Sequence, residues 1–418
     1  MGNLSSVNNV NLIIASLGGS PQPVILSVAA NHPDRIIFLS SHDTVKLSAD
    51  VLGALDFQPE VEYEIVDNPN LLSECYQKCR LCIDRAEKHG YLPDQILVDY
   101  TGGTKVMTAA LLLASIGKHF QFNYVGGKQR DKDGVGVVLN GHEKFFNEMS
   151  PWIVFAEEER RKVATLFNSR RYYSVIEIID SLNMGRVPVK IMRYFKTLRQ
   201  VSDGLLNWDQ FNIKKAYELI SQGMVMLEEH CQLYKQSDLT DFSAQVKGMV
   251  VRLQEILKKT KGLTIPHTLL IDDLLNNARR KIADKRNDDA AARIYRALEL
   301  YGQLCFLQVT GSENDSVDPD IVPEKIRDDY IRRYLDRSSG TLKLPLQATF
   351  NFLECKGHGA GIRFKQQLKK IKNIQSNRNK SILAHGLAPV SDGAVKSIFN
   401  TVADFVQFNN SYDFPLLP

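Results

Sequence analysis

Cysteine is scarce. Six in 418 residues is far below the density of a disulfide-stapled fold, so the chain is expected to work in a reducing compartment, the cytoplasm. Long apolar runs are missing too: the longest, around Ala109 to Ile116, falls well short of the roughly 20 residues that cross a bilayer, and no membrane segment is expected. The opening MGNLSSVNNVNL has neither the basic start nor the apolar core of a signal peptide. Gly2 and Ser6 fit the loose myristoylation pattern, but no polybasic segment accompanies them and the fit is read as coincidence. Charge of one sign is not in large excess either. A net +4 is too small to argue by itself for a nucleic-acid partner. What is present, 44% hydrophobic and 24% charged residues, describes a soluble globular protein. The length calls for two or three domains.

The first 150 residues alternate short apolar runs with amphipathic stretches. NLIIASL, RIIFLS, VEYEIV, ILVDYT and FQFNYVGG have strand character, and helical patterns follow the first four. This alternation predicts a mostly parallel α/β sheet with helices on both faces. VGVVLN, close behind the fifth run, is expected to add a hairpin. After Pro151 the periodicity is helical almost throughout, broken at Thr310–Glu324 and Asp336–Pro345, which are expected to be loops or insertions. The expected division is 1–150 for an α/β domain and 151–418 for an all-α region. Cys75, Cys79 and Cys82 fall at i, i+4, i+7 of a helical pattern. No histidine or fourth cysteine completes a metal set, so a core face is the expectation and no metal site is predicted.

Two strand ends carry polar, glycine-rich turns: SLGGSPQP after the first strand and TGGTK after the fourth. Ligands of open α/β sheets bind at the carboxyl ends of strands, so the two turns are candidates for one shared site. TGGTK leads from ILVDY into the small-residue helical run VMTAALLLAS, and so offers bare backbone amides, two hydroxyls and a cation at a helix N-terminus, where a phosphate is favoured. Its spacing matches neither the Walker loop nor the dinucleotide fingerprint. A tight packing turn at Gly102 and Gly103 is the competing explanation.

The second cluster lies in SNRNKSILAHG, Ser376–Gly386. Arg378 and His385 are two helical turns apart and share a face. With no carboxylate or cysteine to complete a triad or a metal set, such a pair suits RNA cleavage by the substrate's own 2′-hydroxyl. The histidine would assist proton transfer and the arginine would offset charge on the phosphorane. The same spacing recurs at Arg35 and His42, but inside a strand-like run, where no helical face is shared. Around the motif, Arg363 to Lys380 carries seven cations and no acid. It is either a solvated helix face or a track for a phosphate backbone.

VDYTGGTKVM resembles the signature loop of CARF domains, the Rossmann-like sensors of CRISPR systems, and RNKSILAHG resembles the catalytic motif of HEPN ribonucleases. DDAAARIYRALELYGQ, Asp288–Gln303, is similar to a helix of one CARF–HEPN subfamily. The resemblance covers both ends of the chain in the expected order, and the middle only as helix. It implies an ancillary ribonuclease of type III CRISPR systems: a CARF domain that binds a cyclic oligoadenylate activator and a HEPN domain that cuts single-stranded RNA without a metal or other cofactor. Thr101, Gly102, Gly103, Thr104 and Lys105 match the ligand loop. Ser16, Gly18, Gly19, Ser20 and Gln22 fall where the first-strand loop contributes, and Arg378, Asn379 and His385 match the catalytic motif. A homodimer is also implied, since a two-fold cyclic ligand suits two identical loops across an axis. Two other classes remain open: a ligand-responsive regulator without catalysis, and a sensor domain that itself degrades the cyclic nucleotide.

Overall fold

A computed structural model describes residues 10–118, 120–127, 143–145, 152–182, 188–235, 237–372 and 387–418. The chain divides into two compact units, Met1–Thr165 with Ile178–Arg193, and Leu166–Glu177 with Tyr194–Pro418.

In the first unit, β1 (Leu12–Ser16), β2 (Arg35–Ser41), β3 (Glu60–Val66), β4 (Ile96–Asp99) and β5 (Gln121–Asn123) form a parallel sheet in the order β3-β2-β1-β4-β5. The helices α1 (Gln22–Asn31), α2 (Ser48–Gly53), α3 (Leu72–Lys88) and α4 (Lys105–Ser115) follow the first four strands. Every residue of β1 is buried, as in a strand covered on both faces. Alternate side chains serve opposite layers. Leu12, Ile14, Ile37 and Leu39 pack against Cys79 of α3 and Leu111 of α4, whereas Ile13, Ile36 and Phe38 pack against Val24 of α1 and Val51 of α2. The chain runs outward from β1 through β2 to β3, then returns to lay β4 on the other side of β1. That reversal makes the carboxyl ends of β1 and β4 the place where a crevice opens.

One detail of this unit differs from the sequence expectation. FQFNYVGG is not one strand: β5 stops at Asn123, and β6 (Val125–Gly127) leaves the sheet to pair antiparallel with β7 (Glu143–Phe145). The break at Tyr124 coincides with a hydrogen bond from the Val125 N–H to the Thr101 hydroxyl, 2.8 Å, which turns the backbone toward the β4 loop. A hairpin therefore follows the fifth strand, with 143–145 as its second arm; VGVVLN, 135–140, lies outside the described residues.

The helices α5 (Trp152–Asn168), α6 (Tyr172–Ser181) and α7 (Val189–Asp209) cross the division between the units. The second unit continues with α8 (Ile213–Tyr234), α9 (Thr240–Lys259), α10 (Thr268–Ala283), α11 (Asn287–Thr310), α12 (Glu324–Tyr334), α13 (Leu346–Cys355), α14 (Gly359–Gln366) and α15 (Asp392–Val406). Its core joins Leu275 and Ala278 of α10 to Ile294 and Leu298 of α11 and to Phe350 of α13, Phe364 of α14 and Phe405 of α15. The Phe350 and Phe364 rings stack at 4.3 Å. DDAAARIYRALELYGQ falls entirely within α11.

The expectation of no further strand after Pro151 is corrected at DRSSGTLKLP, where β8 (Leu335–Asp336) pairs with β9 (Thr341–Leu342). The Asp336 carboxylate accepts the Ser338 N–H at 2.9 Å and its hydroxyl at 2.6 Å, and Gly340 takes φ +70° to close the turn. Arms of two residues are too short to show an alternating pattern. The two interruptions are packed loops: Val317, Val322, Leu342 and Leu344 are buried with Phe306 and Phe352 in a satellite core.

Candidate functional site

The two glycine-rich turns meet. Ser16, buried at the end of β1, donates from Oγ to the Gly102 carbonyl oxygen at 2.6 Å. Glycine is obligatory at the crossing. A Cβ on Gly18 would lie 2.4 Å from the Gly103 nitrogen, and one on Gly102 would lie 2.2 Å from the Ser16 oxygen. Gly103 adopts φ +85°, a left-handed conformation that glycine adopts at no steric cost.

The hydroxyls of the loop serve its own framework. Thr104 caps α4 by accepting the Met107 N–H at 3.2 Å and donates to the Pro69 carbonyl at 2.6 Å. Thr101 Oγ1 accepts from Val125 N, and Thr108 Oγ1 donates to the Gly102 oxygen at 3.1 Å. The parts left open are different ones. Among the described residues no acceptor takes the backbone N–H of Gly102 or Gly103. Lys105 is exposed at the first position of α4 and makes no ion pair among the described residues. On the facing turn Gly19 is exposed with nothing near its Cβ position, and Ser20 and Gln22 are half-buried. Free amides at a helix N-terminus beside a lysine favour an anion.

Beneath the loop lies a residue the sequence reading passed over. Asp99, fully buried at the end of β4, accepts the Thr101 N–H at 2.9 Å through Oδ1 and the Asn123 Nδ2 at 3.3 Å through Oδ2. Asn123 also donates to Ser27 of α1 at 2.8 Å. Burial pushes the Asp99 carboxyl up, and these donors act against that rise. The signal was available, since a carboxylate inside the apolar run ILVDY needs partners.

Arg378, Asn379 and His385 lie outside the described residues. Cys75, Cys79 and Cys82 are core residues of α3, with Cys82 pushed up to about 12 mainly by burial. Among the described residues no group of three or more His, Cys, Asp or Glu is placed to hold a metal ion, and no helix is long and apolar enough to cross a membrane. Arg35 and His42 sit at opposite ends of a strand region, Arg35 paired with Glu62 at 2.9 Å and His42 with Asp67 at 2.8 Å. Of the cationic run, Lys369, Lys370 and Lys372 are exposed without an ion pair among the described residues, while Lys365 pairs with Glu354.

A parallel-sheet domain with this loop pair, followed by a helical region, is the architecture of the CARF–HEPN ancillary ribonucleases. Two family models match the helical part: the Csm6 6H domain over residues 155–251 and the Csm6 HEPN domain over 259–409, together more than half of the chain. The chain belongs to the Csm6 family of CARF–HEPN ancillary CRISPR ribonucleases. Its fold is similar to that of Enterococcus italicus Csm6 bound to cyclic hexa-2′-fluoro-hexa-dAMP, with TM-score 0.60 and 10% identity over 95% of this chain and 94% of that one. Can2 from Sulfobacillus thermosulfidooxidans, in complex with cyclic tetra-adenylate, aligns over 48% of this chain and 67% of its own at TM-score 0.25 and 12% identity.

Proposed function

We propose that this chain is a cyclic-oligoadenylate-activated endoribonuclease that cuts single-stranded RNA in CRISPR antiviral defence. Residues 1–150 form the sensor and 151–418 carry the helical linker and nuclease. The observation that carries the sensor role is the crossing of the two turns at the switch point, with the amides of Gly102 and Gly103 and the Lys105 side chain unpaired among the described residues. A ring of adenylates presents phosphates to just such donors. The cyclic adenylate in the E. italicus Csm6 complex supports the same ligand class. Ser16, Gly18, Thr101 and Thr104 build the receptor, and Gly19, Ser20, Gln22, Gly102, Gly103 and Lys105 face the ligand.

In the nuclease, Arg378, Asn379 and His385 are the catalytic set. The 2′-hydroxyl loses its proton to a base, His385 in this reading, and its oxygen attacks the adjacent phosphorus. The bond to the 5′-oxygen breaks and that oxygen takes a proton from water, while the His385 imidazolium returns its proton to solvent. Arg378 offsets charge on the phosphorane, and the products are a 2′,3′-cyclic phosphate and a 5′-hydroxyl. The reaction needs no metal. The exposed lysines 369, 370 and 372 hold the RNA backbone, and the working form is a homodimer.

One experiment separates this from the other classes. Labelled single-stranded RNA is incubated with the protein and each cyclic oligoadenylate in turn, with EDTA present, and the product ends are mapped. Cleavage that depends on one ring and leaves cyclic phosphate ends supports the reading. No cleavage with any ring leaves a non-catalytic regulator, and loss of the ring without RNA cleavage leaves a ring-degrading sensor.

A further inference from the structure

Three buried hydrogen-bond donors, on side chains that line one cavity of the helical unit, have no acceptor among the described residues. One is the hydroxyl of Tyr172, a residue 3% exposed at the start of α6. The other two are Nη1 and Nη2 of Arg280, 2% exposed on α10. Both side chains line a cavity of about 470 Å³ whose wall is completed by Arg170, Arg279 and the C-terminal residues Asp413 and Phe414. A recess of about 350 Å³ shares Arg170 and Tyr172 and adds Lys281 and the exposed Arg171.

The nearby carboxylates are already engaged: Asp273, whose charge acts on Arg280, accepts from Trp208 at 2.9 Å and from the Tyr412 hydroxyl. Asp284 binds Arg170, Asp209 binds Lys281 and reaches only Nε of Arg280 at 3.5 Å, and Asp413 binds Arg279 at 2.9 Å. Phe414 covers the face of the Arg280 guanidinium at 3.8 Å, leaving its N–H edge unmatched. Folded proteins seldom leave buried donors unmet. What is missing is an acceptor with several lone pairs and negative charge. Tyr172 also stands at the positive end of the α6 dipole, which favours an anion.

We propose that this cavity is an oxyanion site that takes a phosphate group, held by Tyr172 and Arg280 inside and by Arg170 and Arg279 at its wall. Arginine forks match the geometry of phosphate oxygens. The residues that line it belong to the second unit, whereas the glycine-rich turns belong to the first, and none of them is part of the catalytic motif. Inorganic phosphate, a nucleotide and an RNA chain share the group recognised.

The test is a calorimetric titration of the full-length protein with inorganic phosphate, with chloride at matched ionic strength as control. Saturable binding is expected. Tyr172→Phe should weaken it about tenfold or more, the usual weight of a hydrogen bond to a charged group. Without phosphate, its melting temperature should equal or exceed that of the wild type, because the hydroxyl removed has no partner. Arg280→Lys, which keeps the charge but loses the fork, should weaken phosphate binding as well. No saturable binding to the wild type, or an unchanged affinity in both variants, overturns the site. Competition then identifies the occupant: displacement by a short RNA assigns a backbone phosphate, displacement by a nucleoside monophosphate alone assigns a nucleotide, and displacement by neither assigns the free anion.

Discussion

Gly102 and Lys105 stand three residues apart in one loop and do different work. A Cβ on Gly102 would collide with the Ser16 carbonyl oxygen, so Gly102→Ala should destabilise the sensor unit by about 1–3 kcal/mol, the usual cost of overpacking. Lys105 has no partner to lose among the described residues. Lys105→Ala should leave the melting temperature unchanged, raise the activator needed for half-maximal RNA cleavage at least about tenfold, and keep the plateau rate. A shifted plateau at unchanged activator demand would place Lys105 outside the ligand site. Asp99 adds a pH effect. Its folded-state carboxyl titrates above its unfolded value because it is buried, so the stability it contributes is full below the ordinary carboxylate range and falls as pH rises through the elevated value. Asp99→Asn removes that titration, and the Asn123 amide, whose Oδ1 is unpartnered, can turn over to accept from the new side chain. The variant should therefore gain in melting temperature over the wild type as pH rises from 4 to 7; a gap constant with pH would show that the carboxyl does not titrate differently in the fold.

At the level of elements, the strands and the helices between them were legible because burial on both faces writes continuous apolar runs such as LIIAS, and because Gly and Pro punctuate their ends. The break between β5 and β6 was not legible, since it depends on a hydrogen bond between Val125 and Thr101, 24 residues apart in the chain. The β8–β9 hairpin escaped for its length alone. The candidate site was legible as two loops, but not their interlocking, which rests on two close backbone approaches that leave no room for a Cβ. The cationic run yields a prediction at this scale. Lys369, Lys370 and Lys372 are exposed and unpaired among the described residues, so neutralising all three should weaken RNA binding and reduce the slope of log affinity against log salt by about 2, at about 0.7 per phosphate contact on a single strand. An unchanged slope would make the run a solvated face.

For the whole molecule, the proposed chemistry asks whether one chain suffices. One arginine and one histidine make a sparse centre for phosphorane formation, and two copies facing across a two-fold axis would make a fuller one. His385→Ala should lower cleavage by about 10²–10⁴-fold, the usual weight of a general acid–base group, with binding of the cyclic activator unchanged. The same variant then reports on the assembly. If each cleavage centre draws a histidine from both protomers, wild-type chains exchanged with an equal amount of the variant form about one wild-type dimer in four, and total cleavage falls to about half of its value before mixing. If each chain works alone, mixing changes nothing. The measurement is RNA cleavage after subunit exchange, followed at constant wild-type concentration and saturating activator. Halving supports a composite centre. An unchanged rate, with exchange verified by mass, assigns the whole reaction to the single chain and removes the chemical reason for the dimer.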